Sequence, residues 1–197
     1  MKFTLAALLL GLTIGVAAQK EKTIPEIVKA GQDPSMGINV DIMRANLDGL
    51  ATSSALIVRG LILGSNAHLS TDETTIVTDI NVQVIERLHA RGAIKHRQTI
   101  VVTREGGTVM VEGKRVSIGT GFPPVQVNDE YIFFLRPNPD ETYSLVAGPQ
   151  GLFKNLGGEV EEVGYGFYKA RGHVPLGLFI KELNDALNHE GQGRGGK

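Results

Sequence analysis

Residues 74–87 alternate in side-chain character at every second position, and this period of two severely limits the folds open to the chain. One face of the stretch would carry Ile76, Thr78, Ile80, Val82 and Val84, and the other Asp79, Asn81, Gln83 and Arg87. Such alternation is typical of an antiparallel strand with one buried face and one solvated face. The sequence therefore predicts a β protein with its core on one side of this strand.

Short runs of β-branched and aromatic residues lie around this strand and are separated by Gly, Pro, Asn and Asp. They predict further strands at 55–63, 99–103, 108–118, 131–135, 143–146, 150–154 and 159–163. The first ends at Gly64-Ser65-Asn66, the third is interrupted at Glu112-Gly113-Lys114, and the wholly apolar run before Pro137 predicts a buried strand. Strands spaced in this way form a small barrel or sandwich, and closing a barrel removes exposed strand edges.

Helices are predicted on both sides of the β region. Thr23 and Glu26 have the spacing of a capping box, Pro25 suits a first turn, and Gly31 with Pro34 ends this helix. A second short helix is expected at about 41–52. Pro175 opens a last helix whose apolar stripe can dock on the barrel. The stripe consists of Leu176, Phe179, Ile180, Leu183 and Leu187.

Residues 1–18 predict a secretory signal peptide. Lys2 gives a short positive region, an apolar run follows, and Val16 and Ala18 suit the −3 and −1 positions of a cleavage site. The apolar run is too short for a good membrane span, and no later stretch is long and apolar enough. We expect cleavage after Ala18 and a secreted or periplasmic protein without a transmembrane segment; the alternative is an uncleaved N-terminal anchor.

The chain has 197 residues, which suggests one domain with small additions. After the signal peptide we expect a helical segment at 19–53, the β-barrel domain at 54–174, a C-terminal helix at 175–189 and a tail at 190–197. The tail is rich in glycine and has nothing to bury, so we expect it to be disordered.

Composition excludes several classes of protein. The 20 basic and 21 acidic residues give a formal net charge of −1, which argues against a globally basic nucleic-acid binder. The absence of cysteine excludes disulfides, thiol catalysis, Cys-based zinc sites and iron–sulfur clusters. The chain also lacks an Asn-x-Ser/Thr sequon, and the two absences together favour bacterial export over eukaryotic secretion.

Strand hydrophobics and turn residues between about 50 and 154 carry a family resemblance. They are Ser54–Gly60, Thr78 followed by Ile80, Val82 and Val84, Gly106-Gly107, Phe122-Pro123, Tyr131–Leu135 and Gln150–Phe153. This region resembles small exported bacterial OB-like β-barrel proteins of unknown function and, more distantly, the netrin-like modules of metalloproteinase inhibitors. Those inhibitors act through an N-terminal cysteine, which this chain lacks, so their mechanism is not implied.

The resemblance and the strand pattern together give a fold class. We expect a mainly β fold with flanking helices, built as a small OB-like antiparallel β-barrel with a C-terminal helix packed on it. Asn128-Asp129 stands where the resemblance implies a Gly-Glu turn before the aromatic strand.

No motif in the sequence identifies a catalytic, metal or cofactor site. The chain lacks a Gly-x-Ser-x-Gly elbow, a His-Glu-x-x-His helix and a Walker loop. His89 and His96, which we place in a loop, would meet a metal only with a third ligand, and solvated histidines are the favoured interpretation. Acidic pairs such as Asp140-Glu141 lie at predicted turns, where charge keeps the backbone solvated. We therefore expect no metal and no cofactor.

Two segments are candidates for ligand contact. The first, here called the basic loop, consists of Arg87, Arg91, Lys95, His96 and Arg97 at the end of one strand and in the loop to the next. Loops of OB-type barrels often border the ligand face. A concentrated positive loop can hold phosphates, sulfated glycans or an acidic protein surface. The alternative is a solvated loop that keeps the barrel soluble.

The second candidate, here called the aromatic segment, contains Tyr165, Phe167 and Tyr168 among glycine and basic residues. It partly resembles the RNA-binding strand motif in which aromatic rings stack on bases. Val163 and Tyr168 depart from that motif, and export removes access to most RNA, so we expect no specific nucleic-acid partner. The segment either packs on the barrel or offers a stacking surface for sugars, peptides or extracellular nucleic acid.

These observations favour an exported, non-catalytic module that binds an anionic ligand or an envelope protein. The basic loop would attract anions and the aromatic segment would stack. One alternative is an envelope hydrolase with a dispersed site, in which a histidine lies in a deep pocket beside a carboxylate or hydroxyl. Another is a structural subunit that assembles through a barrel edge or the face of its last helix.

Overall fold

The computed structural model of the chain describes residues 21–34, 45–92, 94, 96–119, 122, 124–164 and 171–193. The predicted signal peptide lies outside these ranges. The described helices are α1 (Ile24–Lys29), α2 (Leu47–Ser53) and α3 (Leu176–Gly193), with a 3-10 turn at Gly148–Gly151. The described strands are β1 (Leu56–Leu69), β2 (Ile76–Ala90), β3 (Thr99–Glu105), β4 (Gly107–Val111), β5 (Lys114–Ile118), β6 (Glu130–Pro137), β7 (Tyr143–Leu145), β8 (Leu152–Asn155), β9 (Glu159–Glu162) and β10 (Val174–Pro175).

Five strands close into a small barrel in the order β1-β2-β3-β7-β6, and β6 pairs back onto β1. Neighbouring strands are antiparallel except β3 and β7, which pair in parallel through Val102 and Tyr143. The fold is mainly β, with α3 packed on the barrel, so the predicted fold class is confirmed. The closed barrel is consistent with an OB-like barrel.

Strand β6 is shared between the barrel and a sheet extension. One edge of β6 pairs with β1, while the other edge pairs with β7 near its C-terminal end and with β8 near its N-terminal end. From β8 the sheet continues through β9 to β10. The far edge of β6 is therefore divided between closing the barrel and carrying the strands that lead to α3.

Both faces of β6 are buried. Tyr131, Phe133 and Leu135 lie in the barrel core, whereas Ile132 and Phe134 belong to a second core between the barrel wall and α3. None of these five side chains is more than 3% exposed. A strand that is covered on both faces has no solvated position for a polar side chain, which explains the uninterrupted apolar sequence at 131–135. The predicted buried strand is therefore confirmed.

Helix α3 docks on the outer face of this wall through the predicted stripe. Phe179 and Leu183 are fully buried, and the other stripe residues are half-buried at the edges of the contact. The ring centroid of Phe179 lies 4.9 Å from that of Phe153, which in turn lies 5.5 Å from that of Phe134. A row of three rings thus connects the helix to β8 and β6.

The N-terminal helix begins as predicted. The Thr23 side chain accepts a hydrogen bond from the Glu26 amide at 3.4 Å, and the Glu26 carboxylate accepts one from the Thr23 amide at 2.9 Å. Helix α1 ends before Gly31, whose φ is +73°. Of the helix expected at 41–52, the structure places α2 at Leu47–Ser53, and residues 41–44 lie outside the described part.

Several strand predictions were wrong in their bounds, and the strand predicted at 150–154 begins only after the 3-10 turn. Strand β1 does not stop at Gly64-Ser65-Asn66 but runs to Leu69, because a bulge at Leu63 keeps the glycine in register with β2. The stretch 108–118 is a hairpin of β4 and β5 rather than one interrupted strand. Glu112 and Gly113 have φ of +50° and +75°, as the commonest two-residue hairpin turns require.

We expect Phe153→Ala to lower the free energy of unfolding by about 3–5 kcal/mol, because it opens a cavity in the row of rings. Urea denaturation followed by circular dichroism measures the change. Leu178→Ala on the same helix layer is the control, since Leu178 is 43% exposed and its truncation should cost less than about 0.5 kcal/mol. Equal losses in the two variants would contradict the described packing.

Candidate functional site

A β-bulge at Ile85 turns Arg87 toward the end of the barrel. The pairing of β2 with β1 shifts by one residue there, so Arg87 lies directly opposite Val58. Residues opposite each other in an antiparallel pair share a face, and Val58 belongs to the barrel core. The predicted position of Arg87 on the outer face with Asp79 was therefore wrong, and the bulge is the physical reason.

Arg87, His96 and Arg97 line one small cleft at this end of the barrel. The remaining lining is apolar and consists of Leu56, Val58, Val84 and Ile100. These four side chains belong to the barrel core or pack against it, so the floor of the cleft is formed by residues at the end of that core. The structure thus brings three basic-loop residues together around an apolar floor.

The three cleft residues differ in their partners. Nη2 of Arg87 donates a hydrogen bond to the Ile94 carbonyl at 3.2 Å, which holds the loop against the strand end. Nη2 of Arg97 lies 2.7 Å from Oε2 of Glu141, and the hydrogen bond and charge of Glu141 raise the pKa of Arg97. Within the part of the chain that the structure describes, His96 has neither a hydrogen bond nor an ion pair. One of the three cleft residues, Arg97, is therefore already paired with a carboxylate.

Arg91 has a structural task at this end of the barrel. Its Nη1 donates to the Thr52 carbonyl at 2.5 Å, and its Nη2 donates to the Ala51 carbonyl at 3.3 Å. Both carbonyls lie in the last turn of α2, where a cation is favoured by the helix dipole. Arg91 therefore anchors the start of the basic loop to α2.

Other candidates lie outside the described residues. They are Lys95, Tyr165, Phe167 and Tyr168. Glu141 was considered in the sequence only as one half of an acidic turn pair, and its role depends on a contact across 44 residues of chain.

His68, Asp79 and Thr103 form a polar group on the outer face of the barrel. Nε2 of His68 lies 3.1 Å from Oδ2 of Asp79, and the hydroxyl of Thr103 donates to Oδ1 of Asp79 at 2.6 Å. The carboxylate stands between the hydroxyl and the imidazole, so the histidine is not placed to take a proton from the hydroxyl, as hydrolysis by a triad requires. This arrangement gives no support to the hydrolase alternative.

The metal site considered for His89 and His96 also finds no support. Among the described residues, no three His, Asp or Glu side chains gather where they would hold a metal ion. His89 lies on β2 rather than in a loop, which corrects the prediction, and its Nε2 accepts a hydrogen bond from Nε of Arg91 at 3.3 Å.

Comparison with known proteins does not place the chain in a family: no family model matches the sequence, and no curated protein matches it. The helices among the described residues include none that is both long enough and apolar enough to cross a membrane. A functional proposal therefore depends on the chemistry of the site itself.

The contribution of His68 to stability should depend on pH. Hydrogen bonds to the Leu69 carbonyl, the larger effect, and to the Asp79 carboxylate raise the pKa of His68 above its ordinary value of 6.5. The stabilisation is fully present below 6.5 and is lost as pH rises through the higher pKa of the folded state. Because the His68 side chain is 45% exposed, we expect His68→Gln to cost only tenths of a kcal/mol near pH 6 and nothing near pH 8.

Urea unfolding of the parent and the His68→Gln variant across this pH range measures the effect. The same change in an Asp79→Asn background is the control, and there the pH-dependent difference should shrink. A difference that is the same at both ends of the range would show that the charged imidazole contributes nothing.

Proposed function

We propose that this protein is an exported, non-catalytic module that binds an anionic ligand or partner at the end of its barrel. The observation that carries the proposal is the convergence of Arg87, His96 and Arg97 on one cleft. Export is supported by the sequence of residues 1–18 and by the resemblance to small exported bacterial OB-like proteins.

The floor of the cleft limits the kind of ligand. Leu56 and Ile100 are each only 4% exposed, and Val58 is 1% exposed, so the core behind the cleft is closed to solvent. A hydrocarbon chain therefore has no open path into the barrel. The ligand instead presents phosphate, sulfate or carboxylate groups to the cationic rim, as a sulfated or phosphorylated polymer or an acidic protein surface does.

Glu141 competes with such a ligand for Arg97. The two side chains are 2.7 Å apart at their closest nitrogen and oxygen, and both are partly exposed, so an incoming anion exchanges one carboxylate for another. Removing the competing carboxylate should favour binding, and removing the guanidinium should weaken it. Removing the carboxylate and removing the guanidinium should therefore change ligand affinity in opposite directions, which is not expected if the loop is only solvated.

A heparin hexasaccharide is a suitable probe, with affinity measured by fluorescence anisotropy of the labelled sugar. We expect Arg97→Gln to weaken binding severalfold and Glu141→Gln to strengthen it severalfold, since solvent screens each exposed charge and keeps its contribution modest. Arg97→Gln should also flatten the salt dependence between about 50 and 300 mM.

Arg115→Gln is the matched control, because Arg115 lies exposed on β5, away from the cleft. Arg91 is left unchanged because it anchors α2. Binding by the parent protein that does not change with salt, or an equal loss in the Arg115 variant, would contradict the proposal.

A further inference from the structure

Arg104 is a half-buried cation for which the described part of the chain provides no hydrogen-bond acceptor. It lies near the end of β3 on the same face as the core residues Ile100 and Val102, directly opposite Thr78, which is 5% exposed. Its Nε is fully buried and makes no hydrogen bond. No carboxylate, carbonyl or hydroxyl of the chain accepts a hydrogen bond from its guanidinium in the described part of the protein.

The guanidinium does contact an aromatic ring. Its central carbon lies 5.1 Å from the ring centroid of Phe122, and this cation–π contact offsets part of the cost of taking the charge out of water. The ring face cannot accept hydrogen bonds from the in-plane N–H groups, and no acceptor in the described part of the protein does so. Burial accordingly lowers the pKa of Arg104 from its ordinary value.

Arg59 shows what a half-buried arginine has elsewhere in this barrel. Its Nε likewise makes no hydrogen bond, but it lies 3.5 Å from a carboxylate oxygen of Glu86 and 3.5 Å from one of Glu130, so two carboxylates flank its charge. A half-buried cation without such a carboxylate recovers less of its desolvation cost, because only the ring contact and the solvent at its terminal nitrogens offset that cost. Among the described residues no carboxylate pairs with Arg104, which leaves its accessible N–H groups available to an acceptor from outside the chain.

We propose that Arg104 and Phe122 form a binding site for a carboxylate at the barrel end opposite the basic loop. A guanidinium stacked on a ring presents its edge to a ligand, and the planar fork of its N–H groups matches the two oxygens of a carboxylate. The terminal nitrogens are the part of the guanidinium that is not fully buried, so they are the donors a ligand reaches. One arginine also matches the single charge of a carboxylate.

This site is separate from the cleft of the basic loop. Thr78, which lies opposite Arg104, precedes Arg87 by nine residues on β2. At about 3.3 Å per residue the two positions are up to about 30 Å apart along the strand. Failure of one proposal therefore leaves the other intact, and heparin affinity should be unchanged in an Arg104 variant.

Arg104→Met separates a ligand site from a structural cation. Methionine has a similar volume without the charge, and replacing an unpaired buried charge by an apolar side chain is neutral or stabilising. We expect the Tm of the ligand-free variant to stay the same or rise by a few degrees. A clear fall in this Tm, with Arg115→Met as the control for an exposed arginine, would show that the cation is structural and would overturn the proposal.

The second measurement is binding by the parent protein, which does not depend on the variant folding. Acetate, tetra-alanine with a free C-terminus, its amidated form and inorganic phosphate are each titrated at constant ionic strength, and the Nε–Hε resonance of Arg104 is followed by NMR. We expect this resonance to shift with a Kd on the order of millimolar, as for a single ion pair. The shift should be absent with the amidated peptide.

The probes also distinguish the source of the carboxylate. A response to acetate supports a site for small organic acids, and a response to the free peptide alone supports a site for a peptide C-terminus. A response to phosphate alone, or to none of the probes, would overturn the proposal. So would an equal response to the amidated peptide.

Discussion

The side chains of β6 point alternately into the barrel and under α3, so one strand supplies core residues to two layers. Phe133 and Phe134 are adjacent in sequence, lie in different cores and are both inaccessible to solvent. Complete burial of one such side chain contributes about 1.5–3 kcal/mol to the free energy of unfolding. Burial of β6 side chains therefore stabilises both the barrel core and the core under α3. The position of α3, and through α2 the anchor of the basic loop, therefore depends on this strand.

Because the barrel is filled by side chains, the chemistry of the molecule is confined to its ends and its outer surface. The inner face of the barrel carries an arginine near each end, Arg87 on β2 and Arg104 on β3. Arg87 reaches that face only because a bulge reverses the alternation of its strand. Arg104 reaches it by strict alternation and lies beyond the last apolar residue of β3. The same closed architecture thus gives two chemically different cationic positions.

Local patterns in the sequence were sufficient to predict much of this fold. The alternation in β2, the apolar run in β6 and the capping box at Thr23 each depend on residues close together in the chain. The bulges at Leu63 and Ile85 were not predictable in this way, because a bulge is a property of the pairing between two strands. The face of Arg87 could not be predicted for that reason.

The sequence predicted which basic residues belong to the candidate site but not what each of them contacts. The basic loop is evident from the sequence, but its residues have different tasks that depend on distant partners: Arg91 binds carbonyls of α2, and Arg97 binds Glu141. Nothing in the sequence predicts a site at Arg104, since a single arginine in an alternating strand is usually a solvated position. The contact that distinguishes Arg104 comes from Phe122, a residue 18 positions later in the chain, whose ring lies against the guanidinium.

Native-state amide hydrogen exchange tests most directly whether β6 joins the two layers into one unit. If it does, amides of β6 and of the buried face of α3 exchange only by global unfolding, with the same free energy and the same dependence on denaturant. Exchange from α3 at a clearly lower free energy, while the barrel amides stay protected, would show that the helical layer opens independently and would contradict the shared role of β6.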